Sequence, residues 1–266
     1  MPFLSQAYIA SLDNEAYGKL LATTRQIGLH PQTHDPFLVS LQDLRAGTTI
    51  LGSQGGGKTR LILSLIMQEI LSNQPVIVID PHGDLTQDCI AMLPDELPRK
   101  WRDKIYLLDM EDEQYPFGVN VFSGHSFTSS LALGQAINQV RHIFEVQWPE
   151  ITRQQHLPKY LLACTIVLFA NPGSTLVDMY RLLKDDRYRQ QMLKSVSDPT
   201  VLEFWRSYGE ISPSLQAQQV EPLINRLLSL FMGRSLVRNI VGQPHNTINF
   251  RRAIENSGHL LVRGYT

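Results

Sequence analysis

The sequence predicts an α/β protein in which an all-helical domain is inserted into the core. Short apolar runs alternate with an amphipathic pattern between residues 37 and 109, residues 124–252 give almost wholly helical patterns, and one more apolar run follows at residues 259–262. Alternating strand and helix patterns are typical of a parallel sheet. A single strand after a helical block most economically rejoins the first sheet. We therefore predict an N-terminal extension at residues 1–34, a core at residues 35–123 with 254–266, and a helical insertion at residues 124–253.

The predicted core begins with two short strand-like runs. FLVSL starts at Phe37, and a β-branched run at residues 48–51 is stopped by glycine. Apolar residues then recur at helical spacing between Leu61 and Ile70, and Asn73 offers a stop for this helix. The next run, VIVI at residues 76–79, has no polar alternation, which indicates a parallel strand covered on both faces.

A second apolar run, IYLL, ends at Asp109 and completes a strand–helix–strand pattern. The helical block that follows is broken mainly at prolines, and its breaks predict about five helices. We expect Trp148 and Trp205 to lie in the core of this block rather than to stack on bases.

The composition is that of an ordinary globular protein. Of the 266 residues, 43% are apolar and 18% charged. Cys89 and Cys164 lie far apart without a second ligand pattern, which excludes a disulfide scaffold or a zinc ribbon and favours a reducing compartment. The sequence has no run of about 20 apolar residues and no basic leader, so we expect no membrane segment, no signal peptide and a cytoplasmic location.

The net charge is divided unevenly along the chain. Residues 1–123 hold 9 Lys or Arg and 15 Asp or Glu, a net charge of −6, whereas residues 124–253 hold 14 and 9, a net charge of +5. Such asymmetry indicates either distinct surfaces for distinct partners or ordinary surface variation, and composition alone favours the second.

The strongest chemical motif is GSQGGGKT at residues 52–59, which fits G-x-x-x-x-G-K-[ST]. It lies between a predicted strand and a predicted helix. Glycines let backbone N–H groups approach phosphate oxygens, and the helix N-terminus favours an anion. The motif predicts that Lys58 reaches the β- and γ-phosphates of a nucleoside triphosphate and that the Thr59 hydroxyl holds Mg²⁺; the alternative is a glycine-rich turn without a ligand. The predicted nucleotide-binding residues are Gly52, Ser53, Gln54, Gly55, Gly56, Gly57, Lys58, Thr59 and Arg60.

Two predicted strands end in an aspartate, Asp80 and Asp109, where a magnesium-site acid would lie. Asp80 opens DPHGD and is our tentative magnesium ligand. Alternatively, this segment is a tight turn in which Asp80 and Asp84 only accept backbone N–H groups. A metal site formed by Asp80, His82 and Asp84 together is a weaker interpretation.

Together these segments resemble a known family. GSQGGGKT, VIVIDPHGDLTQDCIAMLP, KIYLLDMEDEQYPFGVNVF, RNIVGQP and the terminal GHLLV are similar to the ATPase domain of conjugative DNA-transfer coupling proteins. These are the TraG/TraD type of type IV secretion, within the HerA/FtsK class of P-loop motors. The resemblance covers most of residues 36–262. It implies a RecA-like P-loop NTPase core with an all-helical insertion, ATP and Mg²⁺ as cofactors, a homo-oligomeric ring that moves DNA, and secretion or mobilisation proteins as partners.

The sequence departs from the family at both ends. The family's Asp-Glu pair lies on a strand downstream of HLLV, beyond Thr266, and its usual N-terminal membrane anchor is absent. The resemblance thus lowers the expectation for Asp80 as the magnesium-site acid. We expect either a motor domain that is C-terminally truncated or completed by a partner chain, or a nucleotide-binding interaction module without hydrolysis. An unrelated small P-loop enzyme ranks last, because no Asn-Lys-x-Asp guanine motif is present.

A ring motor also needs a cation from the neighbouring subunit to stabilise the charge of phosphoryl transfer. Arg226, Arg234 and Arg238 are the candidates, and Arg238 in LVRNIVGQP has the best motif context. The alternative for each is a local ion pair on a helix surface.

Overall fold

The computed structural model describes residues 22–32, 36–93, 102–125, 127, 129–154, 156–232 and 235–264. The chain forms two compact units, residues 1–111 with 249–266 and residues 112–248. The second unit therefore interrupts the first in sequence. It begins earlier than the predicted insertion, at Asp112, and it ends earlier, at Ile248. Most of the predicted extension, residues 1–21 and 33–34, lies outside the described residues.

The first unit contains two separate sheets and several helices. Strands β1 and β2 form an antiparallel pair, and β3, β4 and β5 form a parallel sheet in the order β3-β5-β4. The elements are β1 (Thr24–Leu29), β2 (Pro36–Ser40), α1 (Leu41–Arg45), α2 (Lys58–Leu71), β3 (Val76–Asp80), α3 (Asp84–Met92) and β4 (Ile105–Asp109), with α11 (Phe250–Glu255) and β5 (His259–Arg263) after the second unit.

The last strand joins the sheet as expected. Strand β5 lies between β3 and β4, with Leu261 in register with Val78 on one side and Leu107 on the other. The α/β class and a parallel sheet that includes residues 259–262 are thereby confirmed. The carboxyl ends of all three strands, at Asp80, Asp109 and Arg263, lie at one edge of the sheet.

Burial of β3 differs from the prediction. Helices α2 and α3 cover one face of the sheet, where Ile66 and Met67 pack in one cluster with Val78 and Leu261. On the opposite face Ile77 is 52% exposed and Ile79 75% exposed. The expectation that VIVI is covered on both faces is therefore wrong. In the described part of the chain β3 is an edge strand, and an uninterrupted apolar run does not reveal how many layers cover it.

The region before the glycine-rich motif also differs from the prediction. Residues 48–51 form no strand, and Leu51 is 87% exposed. The β-branched pattern was misleading there, because strand propensity is realised only where a partner strand pairs with the segment. The run at Phe37 does form a strand, but it pairs with β1, which lies within the predicted N-terminal extension.

The second unit is helical in its described part. Its core forms one cluster in which α5 (Leu157–Phe169) is central, and Leu161, Cys164, Trp205 and Leu223 are almost fully buried. Trp205 is thus a core residue as expected, and Trp148 packs partly buried against the same cluster. The helices are α4 (Ser130–Gln147), a 3-10 helix (Pro149–Arg153), α5 (Leu157–Phe169), α6 (Leu176–Lys184), α7 (Asp186–Leu193), α8 (Pro199–Glu210), α9 (Pro213–Met232) and α10 (Ser235–Val241).

More helices form than the roughly five that the breaks predicted. Helices α6 and α7 are separated only at Asp185, which ends α6 and caps α7 by accepting from the N–H of Tyr188. A single capping aspartate gives a much weaker break signal than proline or glycine. Pro222, conversely, lies inside α9 without ending it.

The charge asymmetry largely disappears when it is counted by structural unit. Residues 112–248 hold 12 basic and 11 acidic residues, a net charge of +1, and the rest of the chain holds 12 and 14, a net charge of −2. The difference arises because the observed unit boundaries differ from the predicted ones. The second unit gains Asp112 and Glu113, and it loses Arg251 and Arg252 to the first. The uneven charge is therefore ordinary surface variation. Among the described helices, none is long and apolar enough to cross a membrane.

Candidate functional site

The glycine-rich loop leads directly into the N-terminus of α2. Gly55 and Gly57 have φ angles of +76° and +84°, in the left-handed region where a side chain would be strained. Gly56 donates its N–H to the Ser53 carbonyl at 3.1 Å, and a Cβ at Gly56 would lie 3.1 Å from that same oxygen. The backbone therefore strongly favours glycine at Gly55 and Gly57, and at Gly56 a side chain would crowd the Ser53 carbonyl.

Lys58 is the first residue of α2, and its ammonium reaches back across the loop. Its Nζ donates to the carbonyl oxygens of Gly52 at 2.9 Å and Ser53 at 2.8 Å. An ammonium has three N–H donors, so one remains for another acceptor. The lysine positive charge and the loop backbone thus lie together at the N-terminus of a 14-residue helix, where the helix dipole also favours an anion.

The loop is open to solvent. Residues 52–57 are exposed, as are Thr59 and Arg60, whereas Lys58 is half-buried. Gly57 has no side chain to cap the helix, so the first-turn N–H groups of α2 have no side-chain cap from their N-cap residue. A cavity of about 250 Å³ adjoins the loop and is lined by Ile27, Gly57, Arg60, Leu61 and Ser64.

Helix α2 is fixed to β1 by polar side chains that no sequence pattern indicates. The Gln68 amide accepts the N–H of Gln26 and donates to its carbonyl, both at 2.8 Å. Next to it, the fully buried Arg25 donates twice to the Glu69 carboxylate. Residues more than 40 positions apart leave no periodic signal in the sequence, and a charged residue inside a six-residue strand argues against burial.

Asp80 lies at the end of β3 and satisfies the turn that follows it. One carboxylate oxygen accepts the N–H of His82 at 3.2 Å, and the other accepts the N–H of Thr86 at 2.8 Å. Burial alone would raise the pKa of Asp80. Backbone hydrogen bonds from Thr86, Gly83 and His82 together outweigh this effect, so the carboxyl pKa lies below its usual value. This geometry is the tight turn that the sequence left open as the alternative to a magnesium ligand.

A second polar group lies at the same edge of the sheet. Arg263 at the end of β5 donates to Asp109 at 2.9 Å and pairs with Glu111 at 3.1 Å. A Cβ at Gly83 would lie 2.8 Å from the Arg263 Nε, so the arginine passes close to the DPHGD turn. The two strand-end aspartates are thus engaged within the chain. Arg263 could not be predicted as part of this group, because the pattern HLLV does not indicate which strands lie on either side of β5.

Asp80, His82 and Asp84 do not form a metal site. Within the described ranges, no group of three or more His, Cys, Asp or Glu side chains is arranged to hold a metal ion. His82 and Asp84 are exposed, and Asp84 lies in the first turn of α3, where a carboxylate favours the helix dipole. Of the predicted site residues, the structure brings together residues 52–60. Asp80 instead accepts backbone N–H groups of the turn, and Asp84 lies in the first turn of α3.

The three candidate arginines lie in the second unit and differ from one another. Arg226 is mostly buried and donates to the Pro222 carbonyl and to Glu150, both at 2.7 Å, as expected for a local ion pair. Arg234 lies outside the described residues. Arg238 is exposed on α10, lines a cavity of about 680 Å³ with Arg181, and has no side-chain partner among the residues that the structure describes.

The fold and the loop define an α/β protein with a three-stranded parallel sheet, a glycine-rich loop at a helix N-terminus and a separate helical unit. Comparisons with known proteins add no relative, because neither a family model nor a curated protein sequence matches the chain. The functional assignment therefore depends on the loop itself.

Proposed function

We propose that residues 52–60 bind ATP with Mg²⁺. The observation that carries the proposal is the loop geometry: glycines at positive φ, a third N–H donor of Lys58 beyond its two described contacts and the N-terminus of α2 lie together in one solvent-exposed loop. Backbone N–H groups and a lysine charge at a helix N-terminus form an anion site, and a triphosphate is the anion that this motif spacing suits.

Each residue of the loop has a role in this proposal. The loop backbone and Lys58 hold the β- and γ-phosphates, and the Thr59 hydroxyl supplies one magnesium ligand. Mg²⁺ usually takes few protein ligands and keeps several waters in addition to phosphate oxygens. A single exposed hydroxyl next to the phosphates is thus compatible with a magnesium site that lacks a preformed acidic cluster.

We further propose that this nucleotide-binding unit serves a DNA translocase of the conjugative coupling type. This step rests on the resemblance of residues 36–262 to that family. In this role the chain works in the cytoplasm, within a homo-oligomeric ring, with DNA and with secretion or mobilisation proteins as partners. Arg238, which is exposed and has no side-chain partner in the described part of the chain, is then suited to reach the nucleotide of a neighbouring subunit, whereas Arg226 is occupied within its own unit.

A specific observation supports the second candidate, a nucleotide-binding module that does not hydrolyse ATP. Hydrolysis needs a carboxylate to polarise water, and the acids that end the described parallel strands are already engaged. Asp80 accepts two backbone N–H groups, and Asp109 accepts from Arg263. Both carboxylates are therefore held by contacts within their own unit, which favours a structural role for them over that of a general base.

The first experiment is calorimetric titration of the purified chain with Mg²⁺–ATP. Replacing Lys58 by alanine should weaken ATP binding at least tenfold, because a charge-assisted hydrogen bond contributes about 1.5–3 kcal/mol. Lys194→Ala is the matched control, since this lysine is exposed in the other unit and should bind ATP like the wild type. An absence of binding heat in the wild-type protein would refute the nucleotide site.

ATP turnover with and without DNA then separates the two functions. DNA-stimulated turnover that is lost in Lys58→Ala supports the motor. Binding without turnover, at saturating ATP and DNA, supports the module and refutes the motor assignment for the chain acting alone.

A further inference from the structure

The cavity beside the phosphate loop is built mainly from one face of α2. Gly57, Arg60, Leu61 and Ser64 follow the spacing of residues that share one helix face. This face begins at the N-cap residue of the helix, so the cavity is continuous with the loop. Its volume of about 250 Å³ lies below the range of about 300–1,000 Å³ for pockets that enclose whole drug-sized ligands. Such a volume suits one ring system rather than an entire nucleotide.

The remaining wall is Ile27, which a local irregularity of β1 places in the cavity. Gln26 pairs with Leu38, and Gly28 pairs with the next residue of β2, Phe37, so the register leaves Ile27 without a partner. An extra unpaired residue of this kind is a β-bulge, which redirects side chains and often occurs beside functional sites. Ile27 is half-buried and lines the cavity opposite the helix residues.

The bulge is held firmly against α2. Residues Arg25 and Gln26, immediately before the bulge, make the paired contacts with Glu69 and Gln68 described above. These two contacts fix β1 about one turn along the same helix from Ser64, and the Gln68 amide also donates to the Ser64 hydroxyl at 3.3 Å. The separation between Ile27 and the α2 residues is therefore set by hydrogen bonds and not by loose packing of a strand edge.

The chemistry of the lining suits a flat aromatic ring. Ile27 and Leu61 offer apolar contacts, the Ser64 hydroxyl can donate or accept a hydrogen bond, and the exposed Arg60 can stack its planar guanidinium on a ring. In the described part of the chain the Arg60 side chain makes no hydrogen bond or ion pair of its own, so it is available for this contact.

We propose that this cavity receives the base of the bound nucleotide, with Ile27 and Leu61 as its walls and Arg60 stacked across it. The proposal rests on the nucleotide site proposed above and adds a base subsite to it. Strand β1 then belongs to the nucleotide site, although the motif at residues 52–59 gives no indication of this. The cavity contributes affinity for a nucleoside triphosphate that inorganic tripolyphosphate cannot gain.

The test compares ATP with Mg²⁺–tripolyphosphate, which has the phosphates without the nucleoside. Wild-type protein should bind ATP at least tenfold more tightly than tripolyphosphate. Ile27→Ala should weaken ATP binding about fivefold or more and leave tripolyphosphate binding unchanged. Leu38→Ala, on the neighbouring strand and outside the cavity lining, controls for general weakening of the hairpin and should leave both affinities unchanged.

A second variant tests by fluorescence whether the base lies next to residue 27. Ile27→Trp places an indole beside the cavity, and its fluorescence should be quenched by ATP but not by tripolyphosphate, after subtraction of the wild-type signal. Equal affinities of the wild type for ATP and tripolyphosphate would overturn the base subsite and leave the phosphate site intact. Binding of neither ligand would overturn both proposals. Parallel losses of both ligands in Ile27→Ala would show that Ile27 supports only the loop and would also overturn the subsite.

Discussion

Arg25 on β1 and Glu69 on α2 form a two-pronged ion pair that joins the antiparallel hairpin to the helix of the phosphate loop. The Nε and Nη2 atoms of the arginine each lie 2.8 Å from a carboxylate oxygen of Glu69. The arginine side chain is fully buried, and that of Glu69 is 23% exposed. A guanidinium in this position depends on its carboxylate, because a buried charge without a partner carries a large desolvation cost.

We therefore expect Glu69→Ala to reduce the free energy of unfolding by about 3 kcal/mol, within the range for breaking a buried pair from one side. The double variant Arg25→Met with Glu69→Leu should recover most of this loss, since it removes both charges. Urea unfolding followed by circular dichroism measures both effects. Glu203→Ala is the control, because its bidentate pair with Arg206 is exposed and should contribute less than about 1 kcal/mol. Equal losses in Glu69→Ala and Glu203→Ala would contradict the expectation.

Asp80→Asn separates the two roles considered for this carboxylate. Asparagine has only one acceptor oxygen, so one of the two backbone N–H groups loses its partner and unfolding should become easier by about 1–2 kcal/mol. The Mg²⁺ concentration needed for tight ATP binding should stay within about twofold of the wild type. A much higher Mg²⁺ requirement would instead make Asp80 a magnesium ligand.

The same carboxylate gives a defined pH dependence. Its pKa in the folded protein is lowered from the ordinary value of 3.8. The stabilisation is therefore present above that ordinary value and is lost as pH falls through the lowered folded value. Acid unfolding below about pH 4 should be less steep in Asp80→Asn than in the wild type. Identical acid slopes in the two proteins would contradict this account.

His259 produces a second pH effect, at higher pH. It is fully buried at the start of β5, and burial, with a smaller contribution from the charge of Lys104, lowers the pKa of its imidazole from 6.5. The buried neutral imidazole therefore contributes its full share to the free energy of unfolding above pH 6.5. This contribution falls as the pH drops below 6.5, by at most about 1.4 kcal/mol per pH unit for one proton. His259→Leu should flatten the loss between pH 7 and 5. His142→Leu, on an exposed position of α4, serves as the control and should keep the wild-type dependence.

Arg226 and Arg238, the two candidate arginines that the structure describes, should respond differently to substitution. Arg238→Ala should change the free energy of unfolding by less than about 0.5 kcal/mol, because an exposed side chain without a partner contributes little to stability. Its ATP affinity should equal that of the wild type, and ATP turnover in the assembled ring should fall at least a hundredfold. Arg226→Ala should be destabilised, since Glu150 and the Pro222 carbonyl lose their donor. Unchanged turnover in Arg238→Ala would refute the trans role.

The features that could be predicted from the sequence are those that one short segment determines locally. The glycines and Lys58 of the loop predict a phosphate-binding backbone by themselves, and the apolar run at residues 259–262 is most economically a strand that rejoins the sheet. The α/β class and the return of β5 were predictable for that reason. The role of Asp80 in its turn was also accessible, because Pro81 and Gly83 require a tight turn after the strand.

The features that the sequence did not reveal depend on pairs of distant residues. The contacts of Arg25 and Gln26 with α2 join positions that only the fold brings together. The exposure of Ile77 and Ile79 depends on which layers cover the sheet, which the strand itself does not encode. The bulge at Ile27 arises from the register of two strands and has no local motif beyond the adjacent glycine.

The position of β5 has a consequence for the order in which the molecule can be made. Strands β3 and β4 do not pair with each other, because β5 lies between them. In sequence, the entire helical unit separates β5 from both strands. During synthesis on the ribosome, the helical unit, rich in local contacts, can fold while the parallel sheet still lacks its central strand. The sheet is then completed late, by closure of a long loop. Until that moment the edges of β3 and β4 that β5 will cover are available for pairing with other chains, so the nascent first unit is exposed to aggregation.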